Sequence, residues 1–160
     1  GAKGGRKEKT SIETVADVPE GDYEVPIGKV EVKREGSDLT ILANMLMLHR
    51  SMAAAEELSR YGIGAEVIDM RTLLPLDMET IARSVKKTGH VLIVEEDNLT
   101  AGWGAEVAAR IQADAFDYLD APVTRVAAPD TPAPCCLVLE QAYVPSLSLI
   151  IDSARQLVGR

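Results

Sequence analysis

Apolar residues in this chain fall into short continuous runs separated by longer stretches with a helical period, and that alternation predicts the architecture. The first such signal lies at Tyr23–Val32, where Val25, Ile27, Val30 and Val32 are spaced by charged or polar residues up to Glu35-Gly36-Ser37-Asp38. This is the pattern of an edge strand ending in a turn. Leu39 to Leu46 is almost wholly apolar and too short for a helix of its own, as expected of a strand buried on both faces. The spacing then predicts a helix over His49–Tyr61, with Met52, Ala55 and Leu58 on one stripe and Gly62 where a C-cap glycine belongs.

The cycle repeats along the rest of the chain. Ala65 to Met70 reads as a strand, and Asp77 caps a helix whose Met78, Ile81, Ala82 and Val85 share a face, closed by Gly89. His90 to Val94 is a third buried strand, and the helix after it places Gly104, Val107, Ala108, Ile111 and Ala115 on one side. Val123 to Ala127 is a fourth, followed by a proline-rich crossing from Pro129 to Pro134. A last helix from Pro145 carries Leu147, Ile150, Ile151, Ala154, Leu157 and Val158 in an apolar stripe. Strands alternating with helices at this spacing specify an α/β domain with a mostly parallel sheet covered on both faces.

Residues 1–20 keep neither period, being polar and glycine-rich, and read as a flexible linker. Such a start implies an upstream domain, or a tag remnant at Gly1-Ala2 on an ordinary tail. Residues 21–160 then make one domain. Of 160 residues, 46% are apolar and 26% charged, enough for one core. The net charge is −8; residues 1–9 hold Lys3, Arg6, Lys7 and Lys9 against Glu8, a net of +3, which leaves −11 on the remainder. That field disfavours nucleic acid and anionic lipid and favours basic partners. No apolar run approaches the roughly 20 residues of a membrane span, and there is no signal-peptide core, so a soluble intracellular protein is expected.

Strand ends in open α/β sheets are where ligands and partners gather, which singles out Glu95 to Trp103. Glu95, Glu96 and Asp97 are adjacent, and successive strand residues face opposite ways, so an acidic rim is expected rather than a metal cage. Gly102-Trp103-Gly104 opens like a dinucleotide turn, but Val107 stands where a third glycine would be needed. Thr100 can cap the following helix, whose free N–H groups could hold a phosphate or a partner's carboxylate. The alternative is a glycine-rich capping turn with Trp103 packed on a neighbouring subunit. His49 and His90, the only histidines, sit too far apart to share a site. Cys135 and Cys136 lack a nearby base, and Arg71 either binds an anion or pairs with Asp69 or Glu96.

Read in order, Val25-Pro26-Ile27-Gly28-Lys29, Glu35 to Thr40, Glu66 to Asp77, Gly102-Trp103-Gly104-Ala105-Glu106 and Leu119-Asp120-Ala121-Pro122 resemble one particular domain. It is the transketolase-like C-terminal domain of the beta subunit of thiamine-diphosphate-dependent 2-oxo acid dehydrogenases. The resemblance covers about residues 19–160. It implies a three-layer α/β/α fold with a mixed sheet, in an enzyme of alpha and beta subunits that is cytoplasmic in bacteria and in the mitochondrial matrix of eukaryotes. Thiamine diphosphate and Mg belong to the intact enzyme and are held by the alpha subunit and the beta subunit's N-terminal domain. No catalytic, cofactor-binding or metal residue is therefore carried over to this chain, which is expected to be inactive alone. What the resemblance assigns to it is pairing with a second beta subunit, contact with the alpha subunit, and docking of the basic subunit-binding module of the lipoyl acyltransferase. Asp120 and the terminal carboxylate at Arg160 match the docking positions. Glu95-Glu96-Asp97 replaces a frequent His-Glu-Ala, and Pro134-Cys135 a frequent Pro-Tyr, so the substrate branch (pyruvate, branched-chain 2-oxo acid or acetoin) stays open.

Overall fold

The computed structural model describes residues 19–159, so the linker expected over residues 1–20 lies mostly outside it and Arg160 entirely so. The domain is a five-stranded sheet in the order β1-β3-β2-β4-β5. β2 (Leu39–Ala43), β3 (Ala65–Asp69), β4 (Val91–Asn98) and β5 (Thr124–Ala128) run parallel, and β1 (Glu31–Arg34) is an antiparallel edge strand on β3. The sheet is therefore mixed, as the resemblance implies.

Alternation along each strand divides the core in two. Leu39, Ile41 and Ala43 of β2 and Leu92 and Val94 of β4 face α1 (Met45–Arg60) and α5 (Leu147–Leu157), where Met47, Leu58, Ile150 and Ala154 meet them. Leu42, Val91 and Ile93 face the other way, onto Ile81 and Val85 of α2 (Met78–Thr88) and Val107 and Ile111 of α3 (Trp103–Ala115). Two helical layers on one sheet give the three-layer α/β/α architecture.

The predicted termini of α2 hold in detail. Asp77 accepts from the backbone N–H of Thr80, and Gly89 ends the helix at φ 67°, the left-handed cap that glycine adopts without a Cβ penalty. Burial pushes the Asp77 carboxyl up, but bonds from the Thr80 N–H and hydroxyl and the charge of Lys29 outweigh it and hold its pKa below the usual value. Under the same helix Thr40 on β2 contacts the hydroxyls of Ser84 and Thr88 at 2.7 Å each, and Ser84 donates to the buried carboxylate of Glu66, which Lys87 also meets.

Several boundaries differ from the sequence reading. The strand expected through Leu46 ends at Ala43, and α1 starts at Met45, four residues before His49. Extended Asn44 (φ −142°) and left-handed Met45 (φ 49°) turn the chain, and Met47 then joins Ser51, Ala54, Ala55 and Leu58 on one buried helical stripe. Only Glu31–Arg34 of the first expected strand pairs with the sheet. β4 continues through Glu95, Glu96 and Asp97 to Asn98, beyond the expected end at Val94. A short helix, α4 (Leu137–Tyr143), was not expected; none of its residues is buried, so no apolar stripe marks it.

Candidate functional site

The structure separates the singled-out residues to the two ends of the sheet. Thr100, Gly102, Trp103 and Gly104 lie beyond β4, at the end where the parallel strands finish. Asp120 lies just before β5, at the end where they begin.

At the first end the organising group is Glu95, fully buried on β4. Its Oε1 accepts from Nε of Arg125 on β5 at 2.9 Å and from a second guanidinium nitrogen, and its Oε2 accepts from the backbone N–H of Gly104 at 2.8 Å. A carboxylate held by a guanidinium and a helix N-terminus is a stable place for buried charge. The same contact explains the glycines. A Cβ on Gly104 would stand 2.5 Å from Glu95 Oε1, and one on Gly102 would stand 2.2 Å from the carbonyl oxygen of Asn98. The glycine pair thus lets the helix sit down on the chain's own carboxylate, and the anion at this helix start is Glu95.

Thr100 does not cap α3. Gly102 holds the N-cap position without a side-chain bond, and the Thr100 hydroxyl and N–H instead donate to the two carboxylate oxygens of Asp130, at 2.6 and 2.8 Å. Those two bonds hold the Asp130 carboxyl below its usual pKa. Trp103 is half-buried and packs on the domain's own core beside α2 and α3. Arg71 pairs with Glu31 on β1 and, at 3.9 Å, with Asp69; of the two carboxylates expected for it, it takes Asp69. Next to Glu95, Glu96 is half-buried, and burial raises its pKa against the opposing charge of Arg50. A groove of about 520 Å³ opens near it between α1 and α4–α5, lined by His49, Arg50, Ala53, Gln141, Ser146 and Leu147. His90 stands apart, at the start of β4. Cys135 and Cys136 are exposed free thiols.

At the opposite end Asp120 is exposed, and its carboxylate makes no ion pair or hydrogen bond with the described residues. Its position is nonetheless fixed. The Asp120 N–H donates to the Gly89 carbonyl at 2.9 Å, and a Cβ on Gly89 would stand 2.1 Å from Asp120 Oδ2. Gly89 therefore serves both the cap of α2 and the seat of Asp120. Exposed Phe116 and Tyr118 precede Asp120, with the Lys86 ammonium 4.7 Å from the Tyr118 ring centre. On the other side, a groove lined by Ala121, Thr124, Ser153, Gln156 and Leu157 sets the last turns of α5 beside it.

Among the described residues no cluster of three or more His, Cys, Asp or Glu could hold a metal, and no helix is long and apolar enough to cross a membrane. With the α3 start taken by Glu95, these residues do not fit a diphosphate and its Mg, so no catalytic step through that cofactor is assigned to them. Sequence reasoning missed the Glu95–Arg125–Gly104 arrangement and the Thr40–Ser84–Glu66 contacts. One signal was available for the second, since Ser84 and Thr88 share the helical face of Ile81 and Val85.

Fold and strand-end geometry together define an α/β domain of the transketolase type, and the chain belongs to the family "Transketolase, C-terminal domain", whose model matches residues 28–150. Among its relatives is the pyruvate dehydrogenase E1 component subunit beta of Bacillus subtilis (strain 168), 45% identical over 142 residues, covering 89% of this chain and 43% of the relative. The mitochondrial 2-oxoisovalerate dehydrogenase subunit beta of Dictyostelium discoideum is 48% identical over 134 residues, covering 82% of this chain and 35% of the relative. A solved "split gene transketolase, inactive beta4 tetramer" superimposes with a TM-score of 0.76 at 28% identity, over 91% of this chain and 46% of that one. The chain thus spans less than half the length of these curated relatives.

Proposed function

We propose that this chain is the assembly and docking domain, residues 21–160, of the beta subunit of a thiamine-diphosphate-dependent 2-oxo acid dehydrogenase. In the intact enzyme that beta subunit works with an alpha subunit and a second beta subunit, in the bacterial cytoplasm or the mitochondrial matrix. The enzyme oxidatively decarboxylates a 2-oxo acid and passes the acyl group to a lipoyl carrier. Thiamine diphosphate and Mg are held by the other parts of the enzyme, and this domain alone is inactive. Its own task is to pair subunits and to receive the basic subunit-binding module of the lipoyl acyltransferase.

The observation that supports this reading is Asp120, an exposed carboxylate with no ion-pair or hydrogen-bond partner for its side chain among the described residues, held in place by Gly89 and preceded by exposed aromatic rings. A charge left unpaired on a rigid seat beside aromatic surface suits recognition of a cationic module. The −11 net charge after residue 9 adds long-range attraction. Calorimetric titration of the module into wild-type chain and Asp120→Ala tests the assignment. The expected result is a loss of affinity of about tenfold or more. Equal affinity of both proteins would remove Asp120 from the docking site.

A further inference from the structure

We propose that the cleft between α2 and the β1–β3 edge of the sheet binds a small zwitterion, an α-amino acid, through the Arg83 guanidinium and the Glu35 carboxylate. Binding there does not depend on docking at Asp120.

The cleft encloses about 400 Å³, and small-molecule sites begin at roughly 300 Å³. α2 forms one wall, where Thr80, Arg83, Ser84 and Lys87 share a helical face at spacings of three and four residues. Val32 of β1 and Glu35, just beyond that strand, form the other wall. Glu66 of β3 is the floor, with its side chain 2% exposed. The pairing of Arg34 with Val67 brings Glu35 beside Glu66, at the same end of the cleft as Lys87.

The charges along this cleft are not satisfied pair by pair. Lys87 serves two carboxylates, buried Glu66 and, at 2.7 Å, Glu35. A buried charge stripped of its partner is costly, so Lys87 stays on Glu66, whose other oxygen accepts from the Ser84 hydroxyl. Glu35, its side chain 79% exposed, is then the exchangeable partner and can take an ammonium from solution. About 6 Å back along the axis of α2 from Lys87, Arg83 makes a single hydrogen bond among the described residues, to the Thr80 hydroxyl at 3.0 Å, and meets no carboxylate. The rest of its planar fork of N–H donors fits a carboxylate.

An exchangeable carboxylate at one end and a guanidinium without a counter-charge at the other select against ligands that carry a single charge. A lone anion meets Glu35 and a chain of net charge −8, and a lone cation meets Arg83 and Lys87. A ligand with both charges gives each end a partner of opposite sign. Between the two ends, Val32 and the methylene stems of Arg83 and Lys87 offer a short apolar wall for a small aliphatic side chain.

Three probes separate the charge requirements: L-alanine, propionate, which lacks the ammonium, and ethylamine, which lacks the carboxylate. Backbone amide shifts of the isotopically labelled full chain are followed by NMR as each is added. Expected for L-alanine are saturable shifts in α2 and β1 in the millimolar range, with propionate and ethylamine each binding about tenfold more weakly or worse. Arg83→Gln and Glu35→Gln should each weaken L-alanine by about tenfold, whereas Arg60→Gln, on the exposed end of α1, should leave it unchanged. Both substituted side chains are exposed, and unchanged amide positions outside α2 and β1 verify that the variants keep the fold. Should a variant fail to fold, the comparison of the three probes on the wild-type chain decides by itself. Absence of saturable shifts up to about 50 mM L-alanine overturns the proposal. So does equal binding of propionate or of ethylamine, which would make the cleft a simple anion or cation patch, and so does unchanged affinity in folded Arg83→Gln.

Discussion

Glu96 shows how much depends on a single position in a strand. It follows Glu95 on β4, and the alternation of strand side chains sends the two carboxylates to different surroundings. Glu95 is buried against Arg125 and the Gly104 N–H, whereas Glu96 is half-buried with only the charge of Arg50 opposing its desolvation. A carboxyl whose pKa is raised by folding is costly to ionise in the folded state. Its cost is fully present above the folded pKa and disappears as pH falls toward the unfolded value of 4.5. Glu96→Gln should therefore melt at a higher temperature than wild type near pH ~7.5, with the difference shrinking as the pH approaches ~4.5. Calorimetric melts at both values check the sign. A difference that stays constant with pH would show that packing, not ionisation, distinguishes the two side chains.

At the scale of elements, the junction of β4, β5 and α3 is held by one buried ion pair. Removing one partner from such a pair leaves an uncompensated charge, whereas replacing both is far milder. Arg125→Met should lower unfolding free energy by about 3–5 kcal/mol in urea titrations, and Glu95→Gln with Arg125→Met should recover a large part of it. A loss below about 1 kcal/mol for the single change would mean that water reaches Glu95 and the pair is not buried in solution. This junction also shows where the sequence was readable. β3, α2 and α5 could be placed because their apolar periods and caps are local: Ile81 with Val85, Asp77 with Thr80, Ile150 with Ala154. The reason for Gly102 and Gly104 was not local, since it lies in a carboxylate seven to nine residues earlier and a guanidinium on the next strand. The run Leu42 to Leu48 could not reveal its break at Asn44, because a buried strand and the buried first turn of a helix are equally apolar. α4 left no pattern because it buries nothing within this domain.

At the scale of the whole molecule, the two ends of the sheet differ in chemistry and should differ in their response to salt. The end bearing Asp120, where docking of the cationic module is proposed, presents acid and aromatic rings on a domain with excess negative charge. Exposed charge pairs are screened over a Debye length of about 10 Å at 0.1 M salt, falling to about 3 Å at 1 M. The opposite end presents Ile27, Met45, Leu74 and Val138, whose burial is insensitive to screening and slightly favoured by salts excluded from protein surfaces. Raising sodium chloride from about 0.05 to about 0.5 M should weaken module binding by about tenfold or more. Calorimetric titration in the two buffers measures the change. If binding did not weaken, Asp120 would be making an apolar docking surface specific rather than supplying its attraction.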